Sequence, residues 1–350
     1  MAERYLITGG AGFIGTNLAA HYLDQEKHVT VLDDLSRPGS SENLAWLTRR
    51  YGHRLRAIRA DIRDTSTTVR EAVGDADVVF HMAGQVAVTT SVEKPVEDFD
   101  INARGTLNLL EAVRSSAEPP AFVYASTNKV YGQLEDVGVV RRDGRYAFAD
   151  ASLGIPETRP LDFHSPYGCS KGAADQYVID YARIYGLRTL VFRQSCIYGN
   201  HQYGVSDQGW ISWFALRALE RKPVTIYGDG GQVRDVLHVD DLIAAYDAAL
   251  EALPSSSGRV YNIGGGPSMT LSLIELIDLL ENLLGYRLEY SFADWRPGDQ
   301  RVFVSDIRRA AAELGWSPSV RPADGIRSML HWMKQERGRA GAPAATTTAT

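Results

Sequence analysis

The sequence predicts an α/β protein: a doubly wound parallel sheet followed by a smaller C-terminal α/β domain. Three observations carry this expectation. Short β-branched or apolar runs alternate with longer amphipathic stretches through the first half of the chain. A cluster of glycines separates the first run from the first helical stretch. After Arg193 the alternation becomes irregular, which marks a second domain. Strands that alternate with helices are joined by crossovers and therefore lie parallel.

In chain order, strands are expected at 4–8, 28–33, 55–59, 78–81, 121–125 and 189–193, and helices at 14–24, 103–115 and 170–185. Residues 133–166 are rich in Gly, Asp, Arg and Pro with little periodicity, and read as an insertion folded over a ligand cleft. Helices at 271–284 and 323–335 fall in the smaller domain. Residues 1–192 with about 233–262 are assigned to the larger domain, and 193–232 with 263–335 to the smaller. The Gly/Ala/Thr-rich tail 336–350 is expected to be disordered.

Composition removes several classes. With 350 residues, 44% of them hydrophobic and 23% charged, the chain has the usage of an ordinary globular protein with a large core. Its net charge of −6 provides no basic field, so neither nucleic acid nor an anionic membrane surface is an expected partner. No apolar run approaches the roughly 18 residues of a membrane-spanning helix. The chain opens directly into Tyr5-Leu6-Ile7-Thr8, so a cytoplasmic location is expected. Cys169 and Cys196 have no disulfide or metal-site spacing. His81, His164, His201 and His238 are scattered, and no metal is expected.

Gly9-Gly10-Ala11-Gly12-Phe13-Ile14-Gly15 follows the first strand and opens the first helix. Glycines there permit a tight turn and let backbone N–H groups approach a pyrophosphate. The run satisfies both GxxGxxG and GxGxxG, and alone it is an ordinary strand–helix turn. Asp33 changes that reading: it ends the second strand, 33 − 15 = 18 residues after Gly15. Together these features predict a Rossmann-type dinucleotide site. A carboxylate at Asp33 hydrogen-bonds a ribose 2′-OH and repels a 2′-phosphate, favouring NAD over NADP, although Arg37 lies close by. Asp61-Ile62, after the third strand, fits an adenine edge or a solvated turn. Ala83-Gly84 lies at the carboxyl edge of the fourth strand, where such sheets bind ligands.

Tyr167 and Lys171 are four residues apart, on one face of a helix that starts at Ser165–Pro166. A free phenol titrates near 10, so a base at neutral pH needs positive neighbours. Lys171 and an oxidised nicotinamide would supply them, making Tyr167 a general base for a hydroxyl proton. On its own the pair could be a surface i,i+4 contact. Ser126-Thr127, ending the fifth strand, adds a hydroxyl for the reacting oxygen, or merely caps the strand.

With these residues in place, the chain resembles the extended short-chain dehydrogenase/reductase family of nucleotide-sugar enzymes over nearly its whole length. More narrowly it is similar to the CDP-tyvelose (CDP-paratose) 2-epimerases. That similarity is carried by Ser126-Thr-Asn-Lys-Val-Tyr-Gly132, Asp162-Phe-His-Ser-Pro-Tyr-Gly-Cys-Ser-Lys-Gly172 and Asp207-Gln-Gly-Trp210. Gly228-Asp-Gly-Gly-Gln-Val-Arg-Asp235 and Asp299-Gln-Arg-Val-Phe-Val304 extend it. The resemblance implies Thr127, Tyr167 and Lys171 as catalytic residues. It places Asp33 and Asp61 on the adenosine half of NAD, with Ile62, Tyr167 and Lys171 also at the cofactor. It puts Arg234 and Arg296 on the substrate diphosphate, with Ser126, Asn128 and Asp299 beside the substrate. Either arginine could instead be a surface ion pair with Asp235 or Asp299. Helices 103–113 and 170–184 match the family's dimer bundle, implying a homodimer or homotetramer.

Two departures narrow the activity. Where 4-epimerases often carry Asn, this chain has Cys196, which reads as a buried, inert thiol. Dehydratases place Asp-Glu after the catalytic Thr, whereas here Asn128-Lys129 follows it, and a lysine cannot replace that carboxylic acid. Trp210 and Trp213 fit either a pocket wall or helix packing. The resulting expectation is an NAD-dependent nucleotide-sugar epimerase that inverts C2 of a CDP-linked hexose through a 2-keto intermediate. The alternatives are a 4-epimerase of a UDP- or CDP-hexose or hexuronic acid, and a non-catalytic NAD-binding scaffold.

Overall fold

The protein is described by a computed structural model covering residues 3–150, 153–296 and 299–340. Seven parallel strands form the main sheet: β1 (Arg4–Thr8), β2 (His28–Asp33), β3 (Leu55–Arg59), β4 (Val78–His81), β5 (Ala121–Thr127), β6 (Thr189–Gln194) and β7 (Arg259–Ile263). Their order is β7-β6-β5-β4-β1-β2-β3. The order reverses between β1 and β4, and such a switch point opens a crevice at the carboxyl ends of the strands.

Alternation along the strands divides the interior. Tyr5, Ile7, Val29, Val31, Phe80, Val123 and Phe192 face one core, against the helices Phe13–Asp24 and Val239–Ser256. Leu6, Leu32, Val79, Phe122, Tyr124 and Val191 face the other, against Thr67–Gly74, Gly105–Arg114 and Ser165–Tyr185. Because both faces are covered, the central strands read as continuous apolar runs. Edge strand β3 is half exposed and carries Arg56 and Arg59, charges that discourage pairing with another sheet.

The first four strands fall at their expected bounds, while β5 and β6 run on to Thr127 and Gln194. Strand β7 was not among the expected strands. Val233–His238 pairs with Cys196–Tyr198, Thr270–Ser272 and Val302–Phe303 in a smaller sheet. The chain rejoins the large core with helix Val239–Ser256. A separate parallel pair, Val224–Tyr227 with Tyr290–Ala293, and the helices Trp210–Leu219, Leu273–Leu284 and Pro322–Ala340 complete the smaller unit. The last helix carries residues 336–340, which composition assigned to a disordered tail, in helical form; 341–350 lie outside the described residues.

The insertion at 133–166 differs from its expectation. It contains an antiparallel hairpin, Val139–Arg142 with Arg145–Phe148, and buries Leu134, Phe148 and Ile155 against Val302, Phe303 and Val304. Arg145 donates to Glu275 and Thr270. Among the described residues none of it lines the cofactor cleft, and the segment packs on the smaller unit.

Candidate active site

The glycine turn is shaped by close approach. Gly9 has φ +67°, and a Cβ there would lie 2.5 Å from the Ala83 backbone nitrogen at the end of β4. A Cβ on Gly15 would overlap the Gly9 carbonyl. Helix Phe13–Asp24 starts at Gly12 with no side-chain cap, leaving its first N–H groups for a ligand. Asp33 accepts from the Ala11 N–H at 3.0 Å and the Leu35 N–H at 2.8 Å, and burial pushes its carboxyl up. Gly9, Gly12, Phe13, Ile14, Gly15, Asp33, Asp61, Ile62, Ala83 and Gly84 all line one cleft. Side-chain-free turn, uncapped helix start and strand-end carboxylate fit a dinucleotide. Asp61 is less available than expected: its carboxylate pairs bidentately with Arg63 at 2.5–3.0 Å, which holds it below the ordinary range.

Helix Ser165–Tyr185 carries Pro166 in its first turn and buries both Tyr167 and Lys171. Burial raises the Tyr167 phenol, opposed by the Thr127 hydroxyl beside it and by the Arg37 charge. The Lys171 ammonium donates to the Ala125 carbonyl at 2.6 Å and lies 4.2 Å from the Tyr124 ring centroid. Burial lowers it to about 7, against the pull of Asp175 and Asp98. A Cβ on Gly84 would stand 3.8 Å from its Nζ, so Lys171 reaches the cofactor edge of the cleft. The lysine expected to charge the tyrosine thus makes its hydrogen bond to β5 backbone, and burial dominates the phenol's shift.

Ser126 is a correction. Its hydroxyl, expected beside the substrate, donates instead to the Asp175 carboxylate at 2.7 Å. Asp175 is fully buried and also accepts from Arg193 Nε at 3.0 Å and Nη2 at 2.9 Å. Strand alternation explains this: Ser126 follows Phe122 and Tyr124 on the face of β5 that packs against helix Ser165–Tyr185. Thr127 itself caps the short turn Asn128–Tyr131, accepting from the Lys129 N–H, and its hydroxyl lies 3.4 Å from Asn128 Oδ1.

On the substrate side, Arg234 donates to Asp299 at 2.6 Å and to the Val233 carbonyl at 2.8 Å. Asp299 therefore orients the arginine, while Asp235 is buried on Ser195. Arg296 reaches the Ser206 carbonyl and Asp207, and lies 4.1 Å from the Tyr227 ring centroid. Burial raises the Cys196 thiol, with Arg234, Trp210 and Lys129 around it. Trp210 packs edge-on against Phe214, and Arg217 covers Trp213.

Residues 5–264 match the model of the NAD dependent epimerase/dehydratase family. The chain belongs to this family. It is 47% identical over 335 residues to the CDP-paratose 2-epimerase of Salmonella typhi, covering 94% of this chain and 98% of that one. Among solved structures it resembles a UDP-glucuronic acid 4-epimerase from Bacillus cereus in complex with UDP-glucuronic acid and NAD. The TM-score is 0.81 at 30% identity, over 95% of this chain and 99% of that one. It also resembles the dTDP-glucose 4,6-dehydratase DesIV from Streptomyces venezuelae, solved with NAD, with a TM-score of 0.82 at 31% identity over 96% and 98%. The protein is an NAD-dependent enzyme of the epimerase kind, with a Rossmann-type fold. No helix among the described residues is long and apolar enough to cross a membrane.

Several members of this epimerase's cleft escaped sequence reasoning. Asn102 sits in a widened turn, Asp100–Arg104, where it bonds the Gln85 backbone, Asp98 and Ser170. Such π-type turns favour functional sites, yet the helical pattern of 103–115 concealed it. Arg37 crosses to Gln208, and Gly39 lets the Tyr203 ring close in, so loops from both domains wall the cofactor cleft. No local pattern signals a contact 171 residues apart in sequence.

Proposed function

We propose that the enzyme inverts C2 of a CDP-linked hexose, the reaction named for its Salmonella typhi relative. The observation that carries this reading is the 47% identity with that relative, which spans both the cofactor and the substrate residues. Thr127, Tyr167 and Lys171 converge at the cleft edge to perform the chemistry. Tyr167 takes the proton of the sugar 2-OH, and the Thr127 hydroxyl bonds the same oxygen as it becomes a ketone. NAD held by the Gly9–Gly15 turn and Asp33 would supply reversible hydride transfer at C2, with no net redox. Arg234 and Arg296 hold the diphosphate while the sugar presents its other face, guanidinium forks matching phosphate oxygens. Tyr167 then gives its proton back. Asn128 and Lys129 stand where a dehydratase needs two acids, which supports epimerisation over elimination.

A route by proton loss is less direct. A C4 ketone acidifies C3 and C5, leaving C2 untouched, so deprotonation at C2 would require oxidation at C3. Substrate deuterated at C2 separates the routes: direct return keeps the label at C2, whereas its exchange with solvent contradicts this mechanism. Exposed Val92, Val96, Phe99, Tyr177, Ile184 and Tyr185 lie on the helices around Pro95–Phe99 and Ser165–Tyr185. This apolar face supports a homodimer or larger assembly.

A further inference from the structure

The two arginines expected at the diphosphate are already neutralised, Arg234 by Asp299 and Arg296 by Asp207. Lys129 differs. Its backbone N–H bonds Thr127, but among the described residues its ammonium donates to none and has no carboxylate within ion-pair distance. The residue is only partly buried. Arg234, Asp299 and Cys196 are the charged or ionisable groups that act on it. Burial and the Arg234 charge hold the ammonium below the ordinary lysine range, against the pull of Asp299. Counted together, Lys129, Arg234 and Asp299 leave one unbalanced positive charge, two residues from the Thr127 that bonds the reacting oxygen.

We propose that Lys129 binds the sugar-side phosphate of the nucleotide diphosphate and thereby selects C2 as the reacting carbon. The inference rests on the C2 reading above and adds a residue that fixes it. The sugar-side phosphate is attached at C1. C2 is its neighbour, whereas C4 lies across the ring. A phosphate anchored beside Thr127 brings C2 to Tyr167 and leaves C4 out of reach. An enzyme acting at C4 needs the phosphate held farther away, and a cation at this position would then be misplaced. The lysine stands where a dehydratase carries an acid, so the same replacement removes elimination and supplies the anchor.

The test compares two probes on the NAD-loaded enzyme, CDP and CMP, which differ by the phosphate in question. In Lys129→Met, CDP affinity should fall about 10- to 100-fold, the worth of one charge-assisted hydrogen bond, while CMP affinity stays within about twofold. Lys129→Arg should restore most of the CDP binding. Lys129→Gln, which keeps length and polarity, should behave as the methionine variant and serves if that one folds poorly. Equal losses for both probes, or no loss for CDP, overturn the proposal. If wild-type enzyme binds UDP but not CDP, the cytidine reading fails instead, and the same comparison with UDP and UMP decides the role of Lys129.

Discussion

The cofactor half and the substrate half of the cleft are built by different means. The heart of the cofactor half is local: glycine turn, helix start and Asp33 come from one β-α-β unit and act through backbone geometry, with Tyr203 and Gln208 closing one wall. The proposed substrate half is assembled from distant segments held by ion pairs, Arg234 with Asp299 and Arg296 with Asp207. Between them lies helix Ser165–Tyr185, anchored to β5 and β6 through the buried Asp175–Arg193 pair. A local site conserves its geometry whatever the substrate. An assembled one can change substrate through a few side chains.

Substitutions sharpen this division, and the largest effect belongs to the junction. Tyr167→Phe should lower kcat by at least 10²–10⁴-fold, the usual worth of general base catalysis, with NAD content of the purified protein unchanged. Loss of NAD in that variant would show that the tyrosine builds the cofactor half as well. Asp175→Asn leaves Arg193 buried without its counter-charge and should cost about 3–5 kcal/mol, read from the midpoint of denaturant unfolding. Arg234→Met should raise KM roughly 10- to 100-fold with a smaller change in kcat, since in the proposed role it would remove a charged hydrogen bond to the substrate diphosphate.

Acid–base behaviour provides a finer test. Burial lowers Lys171 to about 7 in the folded protein, whereas an unfolded lysine keeps its proton to about 10.4. Between these values the unfolded chain binds more protons, so this group adds stability as pH rises from about 7 towards 10. Melting temperatures of the cofactor-free protein should therefore climb across that window, and Lys171→Met should flatten the climb. The smallest effect is expected at Ser126→Ala. Its hydroxyl serves Asp175, so KM should hold within about twofold while stability drops by about 1 kcal/mol.

The same division explains what the sequence disclosed. Strand periodicity and the Gly9–Gly15 run are local signals, and β1 to β4 stand where the pattern put them. Thr127, Tyr167 and Lys171 stand out as candidates because two short motifs carry them, and the structure sets the Thr127 hydroxyl beside Tyr167. Ser126 misled because strand alternation, which sends it to Asp175, outweighs its adjacency to Thr127. The Asp61–Arg63 pair and the Arg37–Gln208 bridge depend on side-chain geometry that no spacing encodes. The hairpin within 133–166 was hidden because its apolar partners, Val302–Val304, come from far along the chain.

The central claim is that C2 is the carbon that inverts. Proton NMR of the purified enzyme with CDP-paratose in D₂O, and with UDP-glucose in parallel, tests it directly. Inversion at C2 changes the H1–H2 coupling of the anomeric signal, whereas inversion at C4 leaves it nearly untouched. The expected result is a new anomeric signal from the CDP-sugar with altered coupling and no deuterium at C2. A new signal with unchanged H1–H2 coupling, from either sugar, would make the protein a 4-epimerase and contradict the account.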